Sequence, residues 1–113
     1  MPRLVPRPPD VLTAVRQRLV AQGLTRRRWT RPEDVVSWFG AVQAQEYGPA
    51  RWALGLRLEG VGDEAVAAAF DEGRLLRTHV LRPTWHFATQ ADLRWLLALT
   101  GPRIDRAMAP YDR

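Results

Sequence analysis

Apolar residues recur at helical spacing along most of the chain before giving way to alternation. In VLTAVRQRLVAQ, Val11, Leu12, Val15, Leu19 and Val20 follow a helical period, Asp10 stands where an N-cap belongs, and Gly23 is a C-cap signal. A second helix is predicted behind T-R-P-E, where Thr30 and Glu33 have capping-box spacing and Pro32 fits the first turn; it carries Val35, Val36, Trp38, Phe39 and Val42. Gln43 then continues the apolar side of Val36 and Phe39. Gly48-Pro49 breaks this run and opens a third helix, ARWALGLR, with Trp52, Ala53 and Leu56 on one face. A fourth, EAVAAAFDEGR, is capped by Asp63 and ended by Gly73.

The pattern changes in LLRTHVLRPTWHFAT, which alternates in places and is rich in Val, Thr, Trp and Phe. Two short strands are expected over 76–81 and 84–88, with Arg82-Pro83 at the bend. Thr89 caps a last helix over 90–99 on Leu93, Leu96 and Leu97, and Gly101-Pro102 stops it; IDRAMAPYDR starts another helix and a tail. The Pro-rich residues 1–9 form an extended arm and 10–113 a single domain. The expected class is mainly α with a short β-hairpin, in the order of a winged helix-turn-helix.

Two glutamines close the second apolar run. Residues two apart point to the same side of a strand but lie about 200° apart on a helix. Gln43 and Gln45 therefore converge on one ligand only if the helix ends near Val42. Otherwise Gln43 caps carbonyls and Gln45 is solvated. In the second strand Thr84 and His86 share one side and Trp85 takes the other; Arg82, Arg77 and His79, at the same period, extend an Arg, His, Arg stripe able to track a phosphate backbone. The plainer alternative is a core or edge His86 with a satisfied ring and a core Trp85.

Charge sharpens the picture. The net charge is +5 and all 17 basic residues are Arg. Residues 1–31 hold eight Arg against Asp10 alone, whereas 59–72 hold five acids and no base. That asymmetry directs a basic face at a polyanion, and arginine suits nucleic acid through bidentate phosphate contacts and base stacking. A merely solvated basic surface is the alternative, and the run Arg26, Arg27, Arg28 is open to either reading. With no cysteine and only His79 and His86, disulfides and thiolate metal sites are excluded and a histidine metal site is unsupported. There is no signal h-region or membrane-length apolar run, so a cytoplasmic protein is expected.

The VQAQ segment, followed some thirty residues later by LLRTHVLRPTWHFATQADLRWLL, resembles the N-terminal part of the AlkZ/YcaQ-like family of winged-helix DNA glycosylases. The resemblance runs from LTAVRQRLVAQGL to about Ala109. The Gln-apolar-Gln triplet is the form associated with the crosslink-repair branch, and Arg82-Pro83-Thr84-Trp85-His86 matches the family's R-x-T-x-H element. It implies removal of N7-alkylated purines from double-stranded DNA, including unhooking of interstrand crosslinks, with no metal or cofactor. Gln43 and Gln45 would be the catalytic pair, with Thr84 and His86 lining or supporting the site. Arg77, Arg82, Arg51, Arg26, Arg27 and Arg28 are the candidate DNA contacts. It also implies further winged helices and a C-terminal β domain, of which this chain corresponds to the N-terminal portion.

Such mild groups are chemically adequate. An N7-alkylated purine is already cationic, so its departure needs no strong acid. What remains is to position water and stabilise a sugar with oxocarbenium-like charge, for which a carboxamide has both an acceptor and donors. Two other readings compete: a non-enzymatic winged-helix DNA binder indifferent to alkylation, and an interaction module presenting Trp29, Trp38, Trp52 and Trp95.

Overall fold

The computed structural model describes residues 8, 10–26 and 29–112; the Pro-rich arm, apart from Pro8, and Arg27 and Arg28 lie outside them. The chain is mainly helical: α1 (Val11–Ala21), α2 (Pro32–Phe39), α3 (Tyr47–Gly55), α4 (Asp63–Asp71) and α5 (Gln90–Met108) surround three short strands, β1 (Val42–Gln43), β2 (Leu75–His79) and β3 (Trp85–Thr89).

Local signals set most boundaries. Asp10 accepts a hydrogen bond from the Thr13 amide at 2.7 Å, which caps α1 and lowers the Asp10 pKa. Gly23 turns the chain away at φ 70°, and a Cβ there would collide with the Trp29 ring. The apolar period of α1 is real, yet the helix has no buried residue.

α2 departs from expectation at both ends. Arg31, not Thr30, is its N-cap, and no side chain closes the capping box. Glu33 Oε1 instead accepts from Arg31 Nε and Nη2 at 3.0 and 2.7 Å and from Arg74 Nη1 at 2.6 Å. Two guanidinium groups offer charge-assisted bonds that a neutral backbone N–H does not match. Burial pushes the Glu33 carboxyl up, but its own backbone N–H and the Arg74 and Arg31 guanidinium groups outweigh that and hold its pKa below the ordinary value. At the other end, Gly40 takes φ 77° and stops the helix at Phe39. Val42 and Gln43 are therefore not helical but form β1.

The sheet order is β1-β3-β2, antiparallel throughout. The expected hairpin is present, its first strand ending sooner and its second shifted by one residue, and β1 adds a strand that the helical pattern had hidden. Phe87 faces the main core, built on Val35, Val36, Leu54, Leu58, Val66 and Leu75; Ala88 faces a second cluster with Val80 and Leu96 of α5. Apolar groups thus cover both sides of β3, the central strand, and β1 pairs along one edge of it. In α3 the buried residues are Ala50 and Leu54, whereas Trp52 is exposed, so the expected Trp52 face is not the packed one.

α4 begins at Asp63 with Gly62 as its cap, and Asp63 pairs with Arg51 instead of capping. Thr89 does cap α5, accepting from the Asp92 amide at 3.2 Å. α5 then runs through Gly101-Pro102 to Met108, correcting the expected stop. Gly101 has no Cβ to clash with the proline ring, so the residue before Pro102 keeps helical angles. The Thr100 hydroxyl, which donates to the Leu96 carbonyl at 2.6 Å and accepts from the Leu81 amide at 3.0 Å, ties this segment to the hairpin loop.

Candidate active site at the turn between β1 and α3

Gln43 lies in β1 directly opposite His86 of β3, which in turn faces Thr78 of β2. One residue on, the Ala44 amide donates to the Trp85 carbonyl at 2.7 Å. The ladder then continues through a side chain: the Trp85 amide donates to Gln45 Oε1 at 3.2 Å. Gln45 thus supplies the acceptor that a further backbone carbonyl would otherwise provide. Because a backbone N–H needs an oxygen, this bond fixes the amide orientation and leaves the Gln45 NH₂ group unspent. The Gln43 side chain is exposed and forms no hydrogen bond among the described residues.

Both glutamines line one shallow depression of about 300 Å³, together with Glu46, Pro49, Ala50 and Ala53. The condition for their convergence, an early end to α2, is met by Gly40. Glu46 was not anticipated. Its sequence signal was available, since it follows Gln45 directly and is the sole carboxylate between Asp34 and Glu59.

Thr84 and His86 meet through the backbone: the Thr84 carbonyl lies 2.8 Å from His86 Nδ1, so Nδ1 carries the proton. His86 is buried beside Gln43 across the strand pair, and the Thr84 hydroxyl is buried without a partner among the described residues. Neither lines the depression.

The Arg, His, Arg stripe does not form. Arg77 pairs with Phe87 and His79 with Trp85, so both point to the side away from His86. Pairing register, not the period within one strand, decides which residues share a side across a hairpin. His79 stacks on Trp85 at 4.2 Å between ring centroids. Arg77 reaches the turn instead, its Nε donating to the Ala44 carbonyl and its Nη2 to the Gln45 carbonyl, each at 3.0 Å. Arg51 is paired with Asp63 through Nε at 3.1 Å and Nη2 at 2.5 Å. Arg82 and Arg26 are exposed, on the hairpin loop and after α1.

Among the described residues no group of three or more His, Asp or Glu is able to hold a metal, and no helix is long and apolar enough to cross a membrane.

The turn, the hairpin and α5 all fall within residues 36–113, the span matched by the model of the AlkZ-like DNA glycosylase family. The chain belongs to that family. No curated protein and no solved structure gives a significant match. The matched span starts inside α2, so α1, which the sequence resemblance had included, lies outside it.

Proposed function

We propose that this chain carries the catalytic amides of a DNA glycosylase that hydrolyses the N-glycosidic bond of N7-alkylated purines, including those tethered in interstrand crosslinks, with the helices and hairpin acting as a winged-helix DNA-binding module. The observation that carries this reading is that Gln43 and Gln45 open on one depression with different hydrogen-bonding capacity to spare. Gln45, its oxygen taken by the Trp85 amide, offers N–H donors; Gln43 keeps its carbonyl oxygen free.

In this reading the cationic purine leaves with the electron pair of the C1′–N9 bond, and no proton need be supplied to it. The Gln45 NH₂ donates to the attacking water and fixes it. The Gln43 oxygen accepts from that water and stabilises the sugar cation. As the new C1′–O bond forms, the water gives up a proton, and the Glu46 carboxylate in the same depression takes it. A neutral base on undamaged DNA leaves too slowly for such weak groups, so the lesion's own charge provides selectivity.

The test is single-turnover release of N7-methylguanine from alkylated duplex DNA. Gln43→Ala and Gln45→Glu are the informative variants, since glutamate at 45 retains an acceptor for the Trp85 amide while removing the donor. Each is expected to slow release about 100-fold or more, the scale for losing one preorganised polar contact. Undiminished release by both variants overturns the assigned site. Binding of intact and alkylated duplex alike, with no release, identifies a binder without catalysis.

A further inference from the structure

We infer that Arg77 is a positioning residue for the glutamine turn, spending its guanidinium on the turn's backbone and not on a DNA phosphate. The inference rests on the glycosylase reading above. Arg77 stands in the middle of β2 on the Phe87 side of the sheet. From there its Nε and Nη2 reach the carbonyls of two consecutive residues, Ala44 and Gln45, at 3.0 Å each. Among the described residues no other donor serves these oxygens. The guanidinium carbon also lies 4.7 Å from the Trp85 ring centroid and 5.8 Å from that of Tyr47.

The arrangement closes on itself. Trp85 holds the turn from one side, its carbonyl accepting from the Ala44 amide and its amide donating to Gln45 Oε1. Arg77 holds the backbone carbonyls of the same two residues and packs against the Trp85 ring. Rotation of the peptide between Ala44 and Gln45 would break the bond from Arg77 Nε to the Ala44 carbonyl. The Gln45 side chain, and with it the direction of its NH₂ group, is thereby set by an arginine 32 positions away that does not line the depression. A planar fork suits this task, because it makes two in-plane donations while its face meets an aromatic ring; a lysine ammonium offers neither.

The consequence for catalysis is one of distance. A displacement of about 1 Å in a positioning group costs up to about 100-fold in rate without loss of ground-state binding. A phosphate contact behaves in the opposite way: its loss weakens binding and lowers the salt slope by about 0.9 log unit per decade, and leaves the bound complex equally reactive.

Arg77→Lys and Arg77→Met are to be compared with the wild-type protein in three measurements: single-turnover release of N7-methylguanine at saturating enzyme, duplex affinity across a salt series, and amide hydrogen exchange at Trp85 and Phe87. Both variants are expected to slow release about 10- to 100-fold with affinity and salt slope unchanged. Trp85 amide exchange should accelerate about tenfold or more, while the Phe87 amide in the interior of the sheet keeps its rate. Weakened affinity with a reduced salt slope and normal release from the bound complex overturns the inference in favour of a phosphate contact. Unchanged Trp85 exchange, or equal acceleration at Phe87, also overturns it. If the wild-type protein releases no base, the glycosylase reading fails, and the Trp85 exchange alone then decides whether Arg77 holds the turn.

Discussion

Two helices with similar sequence credentials have opposite fates. α1 and α2 each have a clear start signal and an apolar period, and each ends at a glycine with positive φ. Yet Val35 and Val36 of α2 are fully buried, whereas Val11 of α1 is 81% exposed and no residue of that helix is buried. α1 is attached chiefly at its C-terminal end, where Arg57 Nε donates to the Gln22 carbonyl at 2.8 Å and Trp29 packs over Gly23. A hydrophobic period states which side of a helix is apolar. Whether anything lies against that side is decided by the rest of the chain.

The comparison breaks most sharply in paired substitutions. Val36→Ala removes two carbons from a fully buried side chain and should cost about 2 kcal/mol in chemical denaturation. Val15→Ser on the exposed side of α1 should stay within about 0.5 kcal/mol of wild type. Equal losses would mean that α1 is packed after all, and that its period reports burial just as that of α2 does.

An effect of similar size concerns what ties α2 to the strand region. Glu33 is 8% exposed and joins Arg31 at the start of α2 to Arg74 just before β2, while its Oε2 is buried without a partner among the described residues. Glu33→Gln should cost about 1.5–3 kcal/mol, the range for hydrogen bonds to a charged group. Its pKa is lower in the folded than in the unfolded chain, so the stabilisation is present above the ordinary value of 4.5 and is lost as pH falls through the lowered folded value. Urea melts between pH 7 and pH 3 should therefore show an acid loss in the wild type that is smaller in Glu33→Gln. An identical acid limb in both would remove Glu33 from the account of α2 docking.

What the sequence made legible follows the same division between local and long-range causes. The caps at Asp10 and Thr89, the glycine stops at Gly23 and Gly73 and the strand pair are set by neighbours in the chain, and they were readable. The glutamine pair was readable as a site only conditionally, because its convergence depended on where α2 ends; Gly40, in plain view within SWFGAVQ, carried that answer. The sharing of sides across the hairpin was not readable. Arg77 and His79 fall on the Trp85 side because 77 pairs with 87, a register that no period within either strand contains. Nor did spacing join Arg77 to the turn. As a basic residue on a strand it reads as a phosphate contact, and its geometry with two carbonyls emerges only when β1, β2 and β3 are side by side. The passage of α5 through Pro102 has a similar origin, with Thr100 tying the helix to the hairpin loop.

The smallest expected effect isolates α1 itself. Asp10 caps a helix with no fully buried residue, so the Thr13 amide bond supports the first turn of α1 locally and little else. Asp10→Ala should reduce far-UV helical signal and speed exchange of the Thr13 amide, while the cooperative melting temperature of the α2–α5 body stays the same. Acidification should mimic the substitution at Thr13, because the carboxylate that accepts the bond has a lowered pKa and loses its charge only below that value. A drop in melting temperature shared by the whole chain would show that α1 folds in one cooperative unit with the body, and the contrast between the two helices would then be one of exposure without independence.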